Sequence, residues 1–317
     1  MAQSVESPPV PRPHQDASAF ARALTSVRTY GRMIRFSHTL FGLPFALAAT
    51  ALAHRFSIAH HTSQGLTAWR LLLIVLAFTG ARSAAMGFNR IVDRKIDALN
   101  PRTAQRELPQ GVISLPAAWA LTLAAAAVFV ASAWALGPLP RLLALPCLLV
   151  VLGYSYFKRF SWFSHLFLGL ALALAPGGAW IAVAGTFEGW VCPALLMVAV
   201  ATWVGGFDVL YSLSDIEFDR DQGLHSIPAR FGVRGALWIS GALHVVTVAA
   251  LGSLHLYAHL GLAHLAGVVL IAGILAWEHS IVKPSDLSRL GQAFFALNGY
   301  ISLAYLAFAL LDVLLLG

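Results

Sequence analysis

Windows of about 20 apolar residues recur along almost the whole chain, and this is the feature that most restricts its fold. Each window is long enough to cross a bilayer as a helix. We count nine, at 36–54, 69–89, 117–137, 140–157, 164–185, 190–213, 235–257, 260–281 and 291–315. Breaks fall where turn chemistry is concentrated: LGPLPR at 136–141, AGTFEG at 184–189 and KPSDLS at 283–288. The expected fold is all-α: a polytopic membrane protein whose nine transmembrane helices form a bundle around a central cavity open to the cytoplasmic face. Composition agrees. Of the 317 residues, 58% are hydrophobic and 11% charged, against about 25% charged in an ordinary soluble domain. Too few charges remain to cover a water-facing surface.

The basic residues set the expected orientation. With the N-terminus in the cytoplasm, the inside set is Arg12, Arg22, Arg28, Arg32, Arg35, Arg90, Arg94, Lys95, Arg102, Arg106, Lys158, Arg159, Arg220, Arg230, Arg234, Lys283 and Arg289. The outside loops keep only Arg55, Arg70 and Arg141, and Arg82 lies within a span. Such an asymmetry is the positive-inside pattern, and an even number of spans destroys it. The net charge of +7 is therefore a topology signal, and no nucleic-acid partner is expected. Residues 1–28 are polar and proline-rich at the start and lack the apolar core of a signal peptide. They read as a disordered tail leading into an interfacial helix, with 29–317 a single transmembrane domain. Cys147 and Cys192 lie in apolar runs and have no metal-ligand spacing, so they read as packing residues.

Two inside loops, about 90–116 and 214–234, hold seven of the fourteen acidic residues. NRIVDRKID places Asp93 and Asp97 four residues apart at the end of the second span, with Asn89 one turn earlier. On a helix these share one face. YSLSDIEFDRDQG repeats the spacing with Asp215 and Asp219 after the sixth span, with Tyr211 where the first copy has Asn89. Four spans separate the copies, so both face the same side. Carboxylates this close repel unless a cation lies between them. Hard oxygen ligands suit Mg2+, which commonly binds one or two carboxylates together with a substrate phosphate. Arg102 and Arg106 follow the first couple, and Arg220, Arg230 and Arg234 surround the second. Guanidinium groups hold oxyanions.

Metal-binding carboxylates, arginines and long apolar spans together suit a diphosphate carrying a hydrocarbon tail, namely a polyprenyl diphosphate. Metal and arginine neutralise the leaving diphosphate. A water-poor pocket with aromatic faces lets the allylic cation survive until an electron-rich ring attacks it. Two other classes stay open at this point. A cation-coupled transporter puts its charges near mid-membrane. A metal-dependent phosphatidyltransferase uses clustered aspartates in a D-G-x-x-A-R pattern that this chain lacks.

Several polar residues have two readings. Arg82 lies two turns before Asn89, as Asp208 lies two turns before Asp215. The two pair as a structural bridge, or Arg82 reaches diphosphate. Lys158 and Arg159 read as a positive-inside anchor. His225 reads as a loop bystander, and His244, His255, His259 and His264 have no shared partner. Glu278 and His279 are candidates for touching the acceptor. Asn298 reads as an interhelical hydrogen bond.

The motifs resemble those of the UbiA-type intramembrane prenyltransferases, which attach isoprenoid chains to aromatic rings in quinone biosynthesis. The resemblance covers about residues 30–315. The family's first motif, N-D-x-x-D-x-x-x-D, is matched by Asn89, Asp93 and Asp97, with Arg90 in place of the second-position aspartate. Its second, D-x-x-x-D, is matched by Asp215 and Asp219. RSAAMGFN puts Arg82 where the family has an arginine near the diphosphate, YSYFKR supplies Tyr154 and Lys158 for its Y-x-x-x-K, and PRTAQRELPQG resembles its loop KRTANRPLPSG.

The resemblance implies a nine-helix bundle and a Mg2+-dependent enzyme. Its catalytic and metal-binding residues are Asp93, Asp97, Asp215 and Asp219; Arg82, Asn89, Arg102, Arg106, Tyr154, Lys158 and Tyr211 bind substrate. The implied partners are a polyprenyl diphosphate, an aromatic acid acceptor (4-hydroxybenzoate or 1,4-dihydroxy-6-naphthoate) and the lipid bilayer, with no obligate protein partner. The implied location is the bacterial inner membrane.

Overall fold

The structure is a computed structural model and describes residues 27–34, 39–60, 65–292 and 296–316. Among these, nine helices are long and apolar enough to cross a membrane. A short helix, α1 (27–33), precedes them. The spanning helices are α2 (Thr39–Ala59), α3 (Ala68–Leu99), α4 (Leu115–Leu136), α5 (Pro138–Gly153), α6 (Ser164–Ala184), α7 (Val191–Ser212), α9 (Ile227–Tyr257), α10 (Leu262–Ile281) and α12 (Asn298–Leu316). Between them, α8 (Ile216–Asp221) and the single turn α11 (Leu290–Gln292) lie in loops. A 3₁₀ helix, Tyr154–Arg159, continues α5, and a 3₁₀ turn, Leu213–Asp215, joins α7 to α8. The expected tail falls outside the described residues except for Val27 and Arg28, the exposed start of α1. Arg12, Arg22 and Arg35 of the orientation argument also lie outside them.

Each expected span is found, but the ends differ. The second runs ten residues past its apolar stretch, to Leu99, carrying the first aspartate couple out on a continuous helix. The seventh starts at Ile227 rather than 235, because Ser226 caps it and Pro228 occupies its first turn. Gly232, at φ 69°, then breaks it before the long segment. That backbone region favours glycine. In the ninth, the α-helix Asn298–Leu316 is described, while 293–295 lie outside the described residues. Hydropathy marks where a chain tolerates lipid, whereas caps and glycines mark where a helix begins or bends.

Packing relies on small residues and polar ties, as it must where the surroundings are as apolar as the side chains. Outward-facing Leu142, Leu145 and Leu149 on α5 are 70%, 63% and 73% exposed, which only an apolar surround accepts. Inside, Phe45 stacks on Tyr305 at 4.7 Å and meets Trp203 at 5.0 Å, joining α2, α7 and α12. A polar chain runs from Trp203 Nε1 to Asn298 Oδ1 (2.6 Å), from Asn298 Nδ2 to Glu278 Oε1 (3.1 Å), and between His244 Nδ1 and His279 Nε2 (2.9 Å). Asn298 thus makes the interhelical bond expected of it. His244 does have partners, contrary to expectation: His279, and Glu278 Oε2 at 3.7 Å. His255 and His264 likewise lie parallel, with ring centroids 5.7 Å apart.

α6 and α7 approach closely at Gly169, where an added Cβ meets Ala201 O of α7 at 2.1 Å. Gly169→Ala is expected to lower stability by about 1–3 kcal/mol, the usual cost of overpacking. Thermal melting of the detergent-solubilised protein measures this. Gly252→Ala, where nothing lies within 4 Å of the added Cβ, serves as the control and should melt no lower than wild type.

Candidate active site

A cavity of 460 Å³ runs through the depth of the bundle. At one end it is lined by Asp93 and Asp97 from α3 and by Asp215 and Asp219 from the α7–α8 junction. Toward the other it is walled by Leu136, Pro140, Leu143, Ala175, Gly178 and Ile181. The two couples therefore face one shared space, as their spacing predicted.

The joint between the two loops is direct. Asn100, the C-cap of α3, donates from Nδ2 to Asp215 Oδ1 at 2.9 Å. Its own Oδ1 accepts from Arg102 N at 2.9 Å. Arg102 grips both oxygens of Asp215, Nε reaching Oδ1 at 2.9 Å, and donates from Nη1 to Tyr211 Oη at 2.6 Å. Burial works against the charge on Arg102, yet the hydrogen bond and charge of Asp215 hold its guanidinium above the usual range.

Around the first couple the cations are crowded. Asp93 takes Lys158 Nζ at 2.6 Å, Arg159 Nη2 at 2.8 Å and Asn89 Nδ2 at 3.1 Å. Asp97 takes Arg106 Nη1 at 2.7 Å, with Arg90 Nη1 at 3.9 Å. Lys158 and Arg159 are thus part of the polar site rather than a plain membrane anchor. The 3₁₀ helix carrying them is backed by the second loop, where His225 donates its backbone N–H to Lys158 O at 2.7 Å. Asp219, on α8, lines the same end of the cavity.

Deeper along the wall lie Arg82, Tyr154 and Asp208. Of the two readings of Arg82, the bridge to Asp208 is not made. Arg82 donates to Ile34 O at 3.3 Å, and Asp208 pairs instead with His165 Nδ1 at 2.7 Å. Glu278 and His279 are absent from the cavity lining; they belong to the interhelical chain, which corrects their reading as acceptor contacts. The sequence reading passed over Asn100 and His165, and gave Arg159 only as an anchor. For Asn100 and Arg159 the signal was present, since each adjoins a motif residue.

The donor set suits a hard divalent ion. Asp97 Oδ2 is buried and accepts no hydrogen bond, a strong demand for an unmade partner. The lining at the polar end holds five cations, Arg82, Arg90, Arg102, Arg106 and Lys158, against five carboxylates, Asp93, Asp97, Asp208, Asp215 and Asp219. Arg159, just outside the lining, adds a sixth cation through its pair with Asp93. Among the described residues no three of Asp, Glu, His and Cys form a closed ligand set; the carboxylates meet across cations.

Comparison with known proteins now bears on this geometry. The model of the UbiA prenyltransferase family matches residues 40–300. The chain belongs to the UbiA prenyltransferase family. This UbiA-family chain is 30% identical over 242 residues to 4-hydroxybenzoate octaprenyltransferase of Vibrio parahaemolyticus, covering 76% of this chain and 84% of that one. To the protein of the same name from Vibrio cholerae it is 31% identical over 254 residues, covering 79% and 87%. Among solved structures, a UbiA homologue from Aeropyrum pernix K1 in apo form superposes with a TM-score of 0.78 at 35% identity, covering 87% of this chain and 98% of the other. A UbiA homologue from Archaeoglobus fulgidus, bound to DMAPP and Mg2+, shares the fold with a TM-score of 0.69 at 22% identity, covering 90% and 99%. The chain is an integral membrane protein of this family. Neither a transporter nor a phosphatidyltransferase is the family that matches.

In this UbiA-family site, Arg102→Lys keeps the charge but loses the fork across Asp215 and the bond to Tyr211. Affinity for an unreactive donor analogue should fall about tenfold, matching the loss of about 1.5 kcal/mol in one hydrogen bond to a charged group. Titration calorimetry in detergent checks it.

Proposed function

We propose that the protein transfers a polyprenyl group from polyprenyl diphosphate to a hydroxylated aromatic carboxylic acid, 4-hydroxybenzoate or 1,4-dihydroxy-6-naphthoate, in respiratory quinone biosynthesis. The observation that carries this reading is a single cavity with two aspartate couples and five cations at one end and an apolar wall along the rest. Such a space fits a diphosphate at its polar end and a hydrocarbon tail along its length. The names of the relatives support the aromatic acid, and the Archaeoglobus complex supports Mg2+.

Asp93, Asp97, Asp215 and Asp219 would hold the Mg2+. When bound, it neutralises charge on the diphosphate oxygens. Lys158, Arg106 and Arg102, which rest on these carboxylates, would turn to the diphosphate. Arg82 and Asn89 complete its seat from α3. As the donor's C–O bond breaks, these donors stabilise the charge gathering on the leaving group. Phe41, Phe78, Phe207 and Tyr154 line the space beyond, excluding water and offering aromatic faces to the allylic cation. Basic residues gathered in one set of loops support a cytoplasmic N-terminus and a site facing the cytoplasm in a bacterial inner membrane.

Two measurements test the reading. Proteoliposomes given both acids, a polyprenyl diphosphate and Mg2+ should yield one prenylated acid by mass spectrometry, and none with EDTA. Asp93→Asn and Asp215→Asn should each lower transfer at least about 10²-fold, as for loss of an electrostatic catalytic group, with unchanged circular dichroism. Turnover near wild type in both variants would remove the carboxylates from the mechanism.

Tail length should be set by the apolar wall. Gly178 on α6 lines the cavity, and nothing lies within 4 Å of an added Cβ. Gly178→Phe should therefore exclude long donors while sparing one- and two-isoprene donors, read as a reversal in relative kcat/KM across a donor series.

A further inference from the structure

Four of the five aspartates on the cavity wall belong to the couples; Asp208 does not. It precedes Asp215 by seven residues, which places it about 10 Å further along α7. His165 of α6 holds it, with Nδ1 2.7 Å from Asp208 Oδ2. The His165 side chain is 5% exposed, and its Nε2 accepts the Ile227 N–H, at the start of α9, at 3.3 Å. A ring nitrogen that accepts carries no proton, so the imidazole is neutral and its Nδ1–H donates to Asp208. This fixes one carboxylate oxygen. Asp208 Oδ1 takes no hydrogen bond from the described residues, and the side chain is 24% exposed while lining the cavity.

The position matters as much as the partner. On the proposed function, a diphosphate seated at the couples puts the donor's reactive carbon on its inner side, and a ring attacking that carbon from the inner side would stand level with Asp208 and Tyr154. There the donor itself separates the ring from bulk water, and the departing diphosphate lies at the other end among Lys158, Arg102 and Arg106.

We infer that Asp208 is the base that takes the ring proton, and that His165 is the positioning residue that aims it; this rests on the aromatic prenyl transfer proposed above. The donor's C–O bond breaks with both electrons leaving on diphosphate. A ring π pair forms the new C–C bond. The C–H bond at that ring carbon then breaks, its electrons restore the aromatic ring, and the proton moves to Asp208 Oδ1. Asp208 returns it to water when product leaves.

Asp208→Asn tests this. The amide oxygen still accepts from His165, so the tie between α6 and α7 survives, but the side chain no longer takes a proton. Turnover is compared with ring-protiated and ring-deuterated acceptor. Wild type should show no isotope effect, since proton loss follows the slow step. Asp208→Asn should fall about 10²-fold or more, the usual weight of a general base. It should also show a primary isotope effect and release prenyl alcohol in excess of prenylated acid. Mn2+ binding in the presence of donor, followed by electron paramagnetic resonance, should match wild type. His165→Gln should lose less activity while showing the same isotope effect. Turnover near wild type in Asp208→Asn, a loss without isotope effect, or a loss accompanied by weakened Mn2+ binding each overturns the assignment. Failure of wild type to prenylate either acid overturns the parent reading instead and is seen before any variant is made.

Discussion

The grip of Asn100 and Arg102 on Asp215 is the contact on which the rest of the site depends. It runs from the loop after α3 to the junction of α7 and α8, elements more than a hundred residues apart in sequence. Without it the two couples are merely two acidic helix ends. With it they become opposite walls of one polar chamber. The contact is strong because it is charged, forked and partly withdrawn from water, with Asp215 14% and Arg102 33% exposed in their side chains. The solvated fraction of Arg102 keeps it from being a rigid buried pair, whose desolvation cost rivals its attraction. A joint of intermediate strength holds the chamber in shape and still yields to a ligand.

The same balance recurs at each carboxylate. Asp93 rests on Lys158 and Arg159, and Asp97 on Arg106 and Arg90. Arg90 stands where the family motif carries an aspartate. Its Nε donates to Met33 O at 3.3 Å, so it also ties α1 to α3. The substitution turns a carboxylate into a counter-ion and makes the first couple the more crowded with cations.

Much of this was legible before any coordinates. The nine spans followed from hydropathy, because each is an uninterrupted apolar window. The couples followed from a four-residue spacing at helix ends on one side. What was not legible depended on pairing. Seven-residue spacing placed Arg82 and Asp208 at matching depths, and matching depth invited a bridge. Yet Arg82 turns to Ile34 O, and Asp208 finds His165, a residue with no sequence pattern to mark it. Glu278 and His279 were by depth only candidates for touching the acceptor, and rotation about the helix axis sends them to His244 and Asn298. Sequence gives height in the membrane well and azimuth poorly. The start of α9 was available from Ser226 and Pro228 but lay outside the hydropathy window.

The near-equal numbers of positive and negative side chains around the cavity have a consequence for selectivity. Cells are crowded with inorganic phosphate, nucleotides and organic acids, and a strongly cationic opening collects them all. A nearly balanced opening does not. On the function proposed above, a molecule gains its hold by bringing oxyanions together with a greasy chain that fills the corridor behind, and abundant small anions bring only the first.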